Sequence, residues 1–268
     1  MNDSLAPSSM TIGAALRWGA AQLLQSESAT LDAKLLLRSA CGFNEAELIA
    51  ADRRRLSAVE RDNFFALLQR RAVGEPVAYI LGEQEFWSLT FEVNRDVLIP
   101  RADSECLIDA VLQRRPQGHE YKIADMGAGS GCLLAALLSE YVDSYGLAVD
   151  RSIPAAVLCW KNLQRLGFAE RSLAFAGDWL SASAGPFDII IANPPYIPIS
   201  DKAGLASDVR DFEPSSALFA DNDGLAHYSA ILRQANARLA PGGLAVFEVG
   251  AAQWDKVAAL ADSYFSDA

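Results

Sequence analysis

The sequence predicts an α/β fold: a mostly parallel sheet with helices on its faces, preceded by a small helical bundle and a linking β-hairpin. Three observations carry this. The segment Asp125-Met126-Gly127-Ala128-Gly129-Ser130-Gly131 lies between Tyr121 to Ala124 and the apolar stretch Cys132 to Leu138, a strand, glycine-rich turn and helix in succession. Phe187 to Ala192 is a β-branched apolar run, as expected of a parallel strand buried on both faces. Thr11 to Arg71 carries apolar residues at helical spacing instead.

The elements follow in chain order. Ile12, Leu16, Ala20, Leu23 and Leu24 share one helical face over Thr11 to Leu24, and Leu31 to Ala40 continues with Leu35, Leu36 and Leu37. Asn44 is placed to cap a helix over Glu45 to Ala51, and Ser57 one over Ala58 to Arg71. Gly74-Glu75-Pro76 ends the bundle. Tyr79 to Ile99 is strand-rich, and Glu85 to Val93 suggests a hairpin. Beyond the glycine turn, Gly146 to Val149 is a short strand ending in Asp150. Leu244 to Val249 is the last strand, and a final helix begins near Ala251. The expected domains are 1–73, helical and suited to substrate recognition; 74–104, a linker with the hairpin; and 105–268, carrying the sheet.

Composition narrows the function classes. At 268 residues the chain is long enough for two domains, and its 51% hydrophobic content holds no uninterrupted bilayer-spanning run. No basic segment followed by an apolar core opens the sequence, so a cytoplasmic protein without a membrane partner is expected. Cys41, Cys106, Cys132 and Cys159 are widely spread and show no Cys-x-x-Cys pairing, which reads as reduced thiols. His119 and His227 lack metal-ligand spacing, and no metal is assigned. The net charge of -11 leans away from stable nucleic-acid binding, which needs phosphate neutralisation. Arg53-Arg54-Arg55 and Arg70-Arg71 read as solvated helix faces or helix ends.

Two motifs carry chemistry. Glycines at alternate positions 127, 129 and 131 permit positive φ and close ligand approach, and the following helix N-terminus favours an anionic group. Asp150 can accept hydrogen bonds from ribose hydroxyls. The dinucleotide fingerprint is Gly-x-Gly-x-x-Gly; here the spacing is Gly-x-Gly-x-Gly, with Cys132 where the third glycine would fall. The second motif is Asn193-Pro194-Pro195-Tyr196, directly after the buried strand. Prolines fix φ and donate no N–H, so the Asn193 amide and the Pro194 carbonyl form an acceptor pair suited to a flat –NH2 group.

The glycine loop resembles motif I of the class I S-adenosylmethionine-dependent methyltransferases, and a Rossmann-like sheet is what that resemblance implies. In that arrangement the first and fourth strands are neighbours where strand order reverses, which brings the two motifs together. From about Leu31 to Gly250 the chain resembles one family closely, the peptide chain release factor glutamine methyltransferases (PrmC/HemK). The marks are Leu31-Asp32-Ala33, Gly74-Glu75-Pro76-Val77-Ala78-Tyr79-Ile80, Glu85-Phe86-Trp87, Leu98-Ile99-Pro100-Arg101, Asp103 and Glu105. Further on come the glycine loop, Asp150, Gly177-Asp178-Trp179, the Asn-Pro-Pro-Tyr tetrad, Glu213-Pro214, Asp223-Gly224-Leu225 and Pro241-Gly242-Gly243.

The resemblance implies S-adenosyl-L-methionine as cofactor, held by Gly127, Ala128, Gly129, Ser130, Gly131, Asp150 and Asn193, with Asp178 and Trp179 beside the adenine. It implies class I peptide chain release factors as partners, with the glutamine of their Gly-Gly-Gln loop as methyl acceptor, and a monomer is expected. Asn193, Pro194 and Tyr196 would be catalytic, and Asn193, Pro194, Pro195 and Tyr196 would hold the amide, with Tyr196 packed on its flat face. With no His or Lys near the tetrad, the proton is expected to leave late, to water or a carbonyl relay. Where the family commonly has Pro-Arg-Pro-Asp-Thr-Glu, this chain has Pro100-Arg101-Ala102-Asp103-Ser104-Glu105. The family usually continues with two more strands, so the sheet is expected to lack them and to leave Leu244 to Val249 at an edge. Two other readings stay open: a methyltransferase acting on an exocyclic base amine, and a cofactor-binding scaffold without catalysis.

Overall fold

The computed structural model describes residues 9–265; residues 1–8 and 266–268, the outer ends of the first and last expected domains, lie outside the described residues. The chain forms two compact units. One contains the residues up to Gly82 together with Ser207–Phe212, and the other contains Glu83–Ala206 with the residues from Glu213 onward.

The first unit is helical: α1 (Ile12–Gln22), α2 (Ala29–Cys41), α3 (Glu45–Ala50), α4 (Ala58–Ala72) and α5 (Val77–Leu81). Local chemistry sets the starts. The Thr11 hydroxyl accepts from the Ala14 N–H, while Asn44 with Glu47 and Ser57 with Glu60 form reciprocal capping boxes. Ile12, Leu36, Leu37, Phe64 and Leu68 make the core. Tyr79 to Leu81, expected as strand, is helix. Pro76 starts the short α5, Gly82 stops it in the left-handed region, and Ala78, Tyr79 and Ile80 are buried on it. Burial of that face outweighs the β preference of its aromatic and branched side chains.

Arg71 also departs from expectation. It is no solvated helix end: its side chain is 10% exposed and pairs with Asp32, 7% exposed, at 2.6 Å. Ser26 and Ser28 donate to the same Asp32 carboxylate, at 2.7 and 2.8 Å. Arg71 further donates to the Gly74 and Glu75 carbonyls and to Asp208, which arrives in the same unit on a later stretch of chain. Arg54 is tied to Glu60 through two nitrogens, and Arg70 to Glu75 likewise.

The second unit opens with the hairpin β1 (Glu83–Phe86) and β2 (Leu89–Glu92). Its two-residue turn, Trp87-Ser88, has φ of 51° and 58°, the mirror-image turn that matches strand twist. No glycine or asparagine supplies that turn. The Trp87 N–H instead donates to Glu105, and its indole N–H to Glu140. There follow α6 (Glu105–Leu112), β3 (Lys122–Met126), α7 (Cys132–Glu140), β4 (Tyr145–Asp150), α8 (Ile153–Arg165), β5 (Ser172–Ala176), β6 (Phe187–Ala192) and β7 (Ile197–Pro198). After α9 (Ser207–Phe212), part of the helical unit, come α10 (Ser215–Leu218), β8 (Phe219–Ala220), α11 (Tyr228–Arg238), β9 (Leu239–Phe247) and α12 (Trp254–Asp262).

Five strands make one parallel sheet in the order β5-β4-β3-β6-β9. Strand order reverses between β3 and β6, as the resemblance to the class I methyltransferases implies. Strand β9 starts earlier than expected, taking in Pro241-Gly242-Gly243, and is an edge strand among the described residues. The sheet core is fully buried at Ile123, Ala124, Val149, Ile190 and Ala192. Helices α7 and α8 and helix α11 cover it, against β3 and β4, β4 and β5, and β9 respectively. Among the described residues no helix is long and apolar enough to cross a membrane.

Candidate active site

The three left-handed glycines of the loop after β3, at φ 80°, 54° and 82°, turn the chain from strand to helix. Gly131 shows why no side chain fits at the last of them. A β-carbon there would sit 2.7 Å from the buried Cys159 sulfur. The Asp150 carboxylate, at the tip of β4, closes the loop from the other side. It accepts the Gly129 N–H at 2.9 Å and the Ser152 N–H at 2.8 Å. A carboxylate has about four lone-pair positions, so these two bonds fix Asp150 and leave acceptor capacity for a diol.

A cavity of about 450 Å³ opens beside this loop. Gly127, Ala128, Gly129, Ser130, Asp150, Asp178 and Trp179 line it, and so do Asn193 and Pro195. The structure thus brings together both motifs, at the carboxyl ends of β3, β4 and β6. Gly131, Pro194 and Tyr196 are not among the lining residues. Trp179 adopts a left-handed backbone, φ 50°, which costs a non-glycine residue on the order of 1–3 kcal/mol. The turn lays its ring over Gly127, close enough that a β-carbon there would be 3.2 Å away.

His227 is a wall residue that periodicity and motif spacing do not reveal. It lines the cavity and meets the Trp179 ring edge-on at 5.7 Å, so an imidazole does stand in the same cavity as the tetrad. Burial, reinforced by the Arg151 charge, pulls its pKa below the ordinary value. The neutral ring is therefore favoured at pH 7. Among the described residues no group of three or more His, Cys, Asp or Glu side chains could hold a metal ion.

Asn193 leaves β6 beside Glu248, which leaves β9. Ala192 and Phe247 are in register, and the Glu248 N–H donates to the Ala192 carbonyl at 2.9 Å. The Asn193 Nδ2 donates to Ser104 Oγ at 2.9 Å, and Ser104 Oγ donates to Glu248 Oε2 at 2.5 Å. The other Glu248 oxygen accepts the Tyr196 hydroxyl at 3.0 Å, while its carbonyl accepts the buried Tyr228 hydroxyl at 2.9 Å. Burial, then the Glu248 charge, pushes the Tyr196 phenol up to about 12. Tyr196 is therefore a donor at neutral pH, not a base.

The Tyr196 backbone is held as firmly. Gln253 Nε2 donates to the Tyr196 carbonyl at 2.8 Å and to the Asp223 carbonyl at 2.9 Å. Arg101, which precedes the short 3-10 helix ending at Ser104, pairs with Glu213, and Glu213 also accepts the Ile99 N–H at 3.1 Å. The result is an amide acceptor of fixed direction and an anion-tolerant glycine loop, on one cavity. The cavity lies within the range of small-molecule and cofactor sites, and the loop and diol acceptor suit a nucleoside bearing a charged tail.

Comparison with known proteins gives the family. Residues 14–82 match the PrmC N-terminal domain, and residues 102–207 match the methyltransferase small domain. A release factor glutamine methyltransferase of Bradyrhizobium diazoefficiens is 40% identical over 254 residues, covering 94% of this chain and 84% of its own length. The Escherichia coli protein of the same name is 39% identical over 243 residues, covering 90% of this chain and 87% of its own. Among solved structures, the Thermus thermophilus 16S rRNA N2 G1207 methyltransferase, in complex with AdoMet and guanosine, superposes with a TM-score of 0.50 at 21% identity. That match covers 69% of this chain and 45% of the other, and it speaks to the fold alone. With relatives this similar over nearly the whole chain, and with both motifs on one cavity, the chain belongs to the release factor glutamine methyltransferase family.

Proposed function

We propose that this enzyme methylates the side-chain amide nitrogen of the glutamine in the Gly-Gly-Gln motif of class I peptide chain release factors. S-adenosyl-L-methionine would supply an electrophilic methyl group carried on a sulfonium sulfur. The observation that carries the reading is the convergence of Asp150, the glycine loop and Asn193 on one cavity, in a chain of this family.

In this reading Gly127, Ala128, Gly129, Ser130 and Gly131 receive the amino-acid end of the cofactor. Asp150 accepts from the ribose, and Asp178 and Trp179 flank the adenine. Asn193 Oδ1 and the Pro194 carbonyl accept the two N–H bonds of the substrate amide. Pro195 and Tyr196 complete the seat, Tyr196 against the flat face of the amide. An amide nitrogen is a poor nucleophile, because its lone pair is delocalised into the carbonyl. Holding both hydrogens turns that lone pair toward the electrophile, and such orientation supplies roughly 7–11 kcal/mol in well-placed systems. As the N–C bond forms, the bond between the methyl and sulfur would break, leaving the sulfur as a neutral thioether, and one amide proton would leave late, to water or a carbonyl relay. The helical unit, by analogy with its family, recognises the body of the release factor.

The experiment is incubation of the protein with isotope-labelled S-adenosylmethionine and a class I release factor, followed by peptide mass spectrometry. The expected result is one methyl on the Gly-Gly-Gln glutamine. Label on DNA or ribosomal RNA controls in preference to the factor would refute the proposal.

A further inference from the structure

We infer that Ser104 and Glu248 are positioning residues that fix the hydrogen-bond polarity of the Asn193 amide, and so make its oxygen the group offered to the substrate. The inference deepens the amide-methylation reading and rests on it for its consequence in catalysis.

An Asn side chain can be turned over with little change in shape, exchanging an acceptor for a donor. One face would hold a substrate –NH2 and the other would repel it. Something must choose between them. Glu248, when ionised, can only accept hydrogen bonds. The Ser104 hydroxyl has one proton, and at 2.5 Å that proton goes to Glu248 Oε2. Toward Asn193 the Ser104 oxygen is then only an acceptor, so the atom facing it at 2.9 Å must be Nδ2. The amide atom left to accept is Oδ1. Ser104 is 2% exposed, which shields the relay from water that could satisfy either orientation.

The same carboxylate governs the far end of the tetrad. Its second oxygen takes the Tyr196 proton at 3.0 Å. One charge thereby sets both polar side chains of Asn193-Pro194-Pro195-Tyr196. The sheet supplies this economy, because Asn193 and Glu248 leave adjacent parallel strands at the same level.

The test uses the full chain with Ser104→Ala, Ser104→Thr and Glu248→Gln variants. Gln can donate, so Glu248→Gln lets the Ser104 proton turn toward Asn193 and frees the amide to flip. The first readout needs no substrate: solvent exchange of the Asn193 side-chain amide protons by nitrogen-15 NMR, assigned by their loss in Asn193→Asp. Wild type and Ser104→Thr are expected to exchange slowly. Ser104→Ala and Glu248→Gln are expected to exchange about tenfold faster or more, as for an amide with its restraining bond removed.

The second readout is methyl transfer. Ser104→Ala and Glu248→Gln should lower kcat about 30-fold with KM changed less than about threefold, because orientation acts on the transition state. Ser104→Thr, which keeps the hydroxyl, should recover most of the loss. The double variant should be no slower than the slower single, since both act through one relay. Thermal melts matching wild type exclude a loss of fold. Should Glu248→Gln not fold, the contrast between Ser104→Ala and Ser104→Thr decides alone.

Amide exchange alike in wild type and Ser104→Ala overturns the inference, whatever the substrate. If exchange follows the expected order but wild type leaves release factor unmethylated, the substrate reading fails and the relay stands.

Discussion

A β-carbon on Gly224 would fall 2.0 Å from the Tyr196 carbonyl oxygen and 2.3 Å from Gln253 Nε2. The bond between that carbonyl and Gln253 is the anchor of the tetrad's last residue. Gly224 also sits at φ +81°, where a side chain is strained even in open space. Gly224→Ala should therefore push the tetrad out of place. The expected destabilisation is at least about 1–3 kcal/mol, read from a denaturant midpoint, with a fall in methyl transfer out of proportion to it. Full activity in this variant would show that the Tyr196 carbonyl tolerates displacement.

Asn193→Ala removes the oriented acceptor while leaving the glycine loop and Asp150 in place. Turnover should fall at least about a hundredfold, equivalent to ~2.7 kcal/mol of transition-state stabilisation, with cofactor affinity changed only modestly. Single-turnover methylation and calorimetry separate the two effects. A loss confined to binding would move Asn193 out of the chemical step.

Asp150→Ala removes the acceptor of the Gly129 and Ser152 N–H groups and, in the proposed reading, of the ribose hydroxyls. Unpaired buried donors cost about 1–3 kcal/mol each, so S-adenosylmethionine should bind roughly 5- to 150-fold more weakly. Calorimetry showing unchanged affinity would remove Asp150 from the cofactor site.

Asp125 offers a pH test. It is fully buried, accepts the Leu134 N–H at 3.2 Å with Oδ2, and its Oδ1 has no hydrogen-bond partner among the described residues. Burial, opposed by that N–H and aided by the Asp150 charge, pushes its carboxyl up to about 7. The folded state thus holds this proton more tightly than the unfolded chain does. Its contribution to stability is complete below about pH 4 and is lost as pH rises from there through about 7. Asp125→Asn, a permanent stand-in for the protonated acid, should match wild type near pH 3. By pH 8 the variant should be the more stable by a few kcal/mol, because wild type must then bury an ionised carboxylate or unfold to solvate it. Denaturant melts at both pH values check this, and a constant gap between the two proteins would refute it.

Much of this was legible in the sequence, and the exceptions have physical causes. Periodicity located α1 to α4, and Asn44 and Ser57 marked the starts of α3 and α4 because they bond to backbone within those first turns. The glycine spacing and the run Phe187 to Ala192 located the strands that matter, since a strand buried on both faces admits few polar residues. The short α5 was not legible, because burial outweighed the strand preference of Tyr79 and Ile80. Nor was Arg71, whose partners Asp32 and Asp208 lie 39 and 137 positions away. At the site, local motifs showed Asp150 and Asn193 but not what holds Asn193. Ser104 precedes it by 89 positions, and only the alignment of β6 with β9 makes Glu248 its neighbour. His227 had no motif to announce it.

The placement of Asp208 on Arg71 has a consequence for how the chain is born. A ribosome delivers residues in order, and soon after α4 has emerged, Asp32 and the carbonyls of Gly74 and Glu75 are available to the Arg71 guanidinium, but Asp208 is not. The helical unit can assemble its core early yet waits for Ser207–Phe212 to complete its membership. Translation must first pass through the glycine loop, Asp150 and the Asn-Pro-Pro-Tyr tetrad. The last piece of the helical unit is thus synthesised after both motifs of the active site, and Arg71 gains its Asp208 partner only once they have been made.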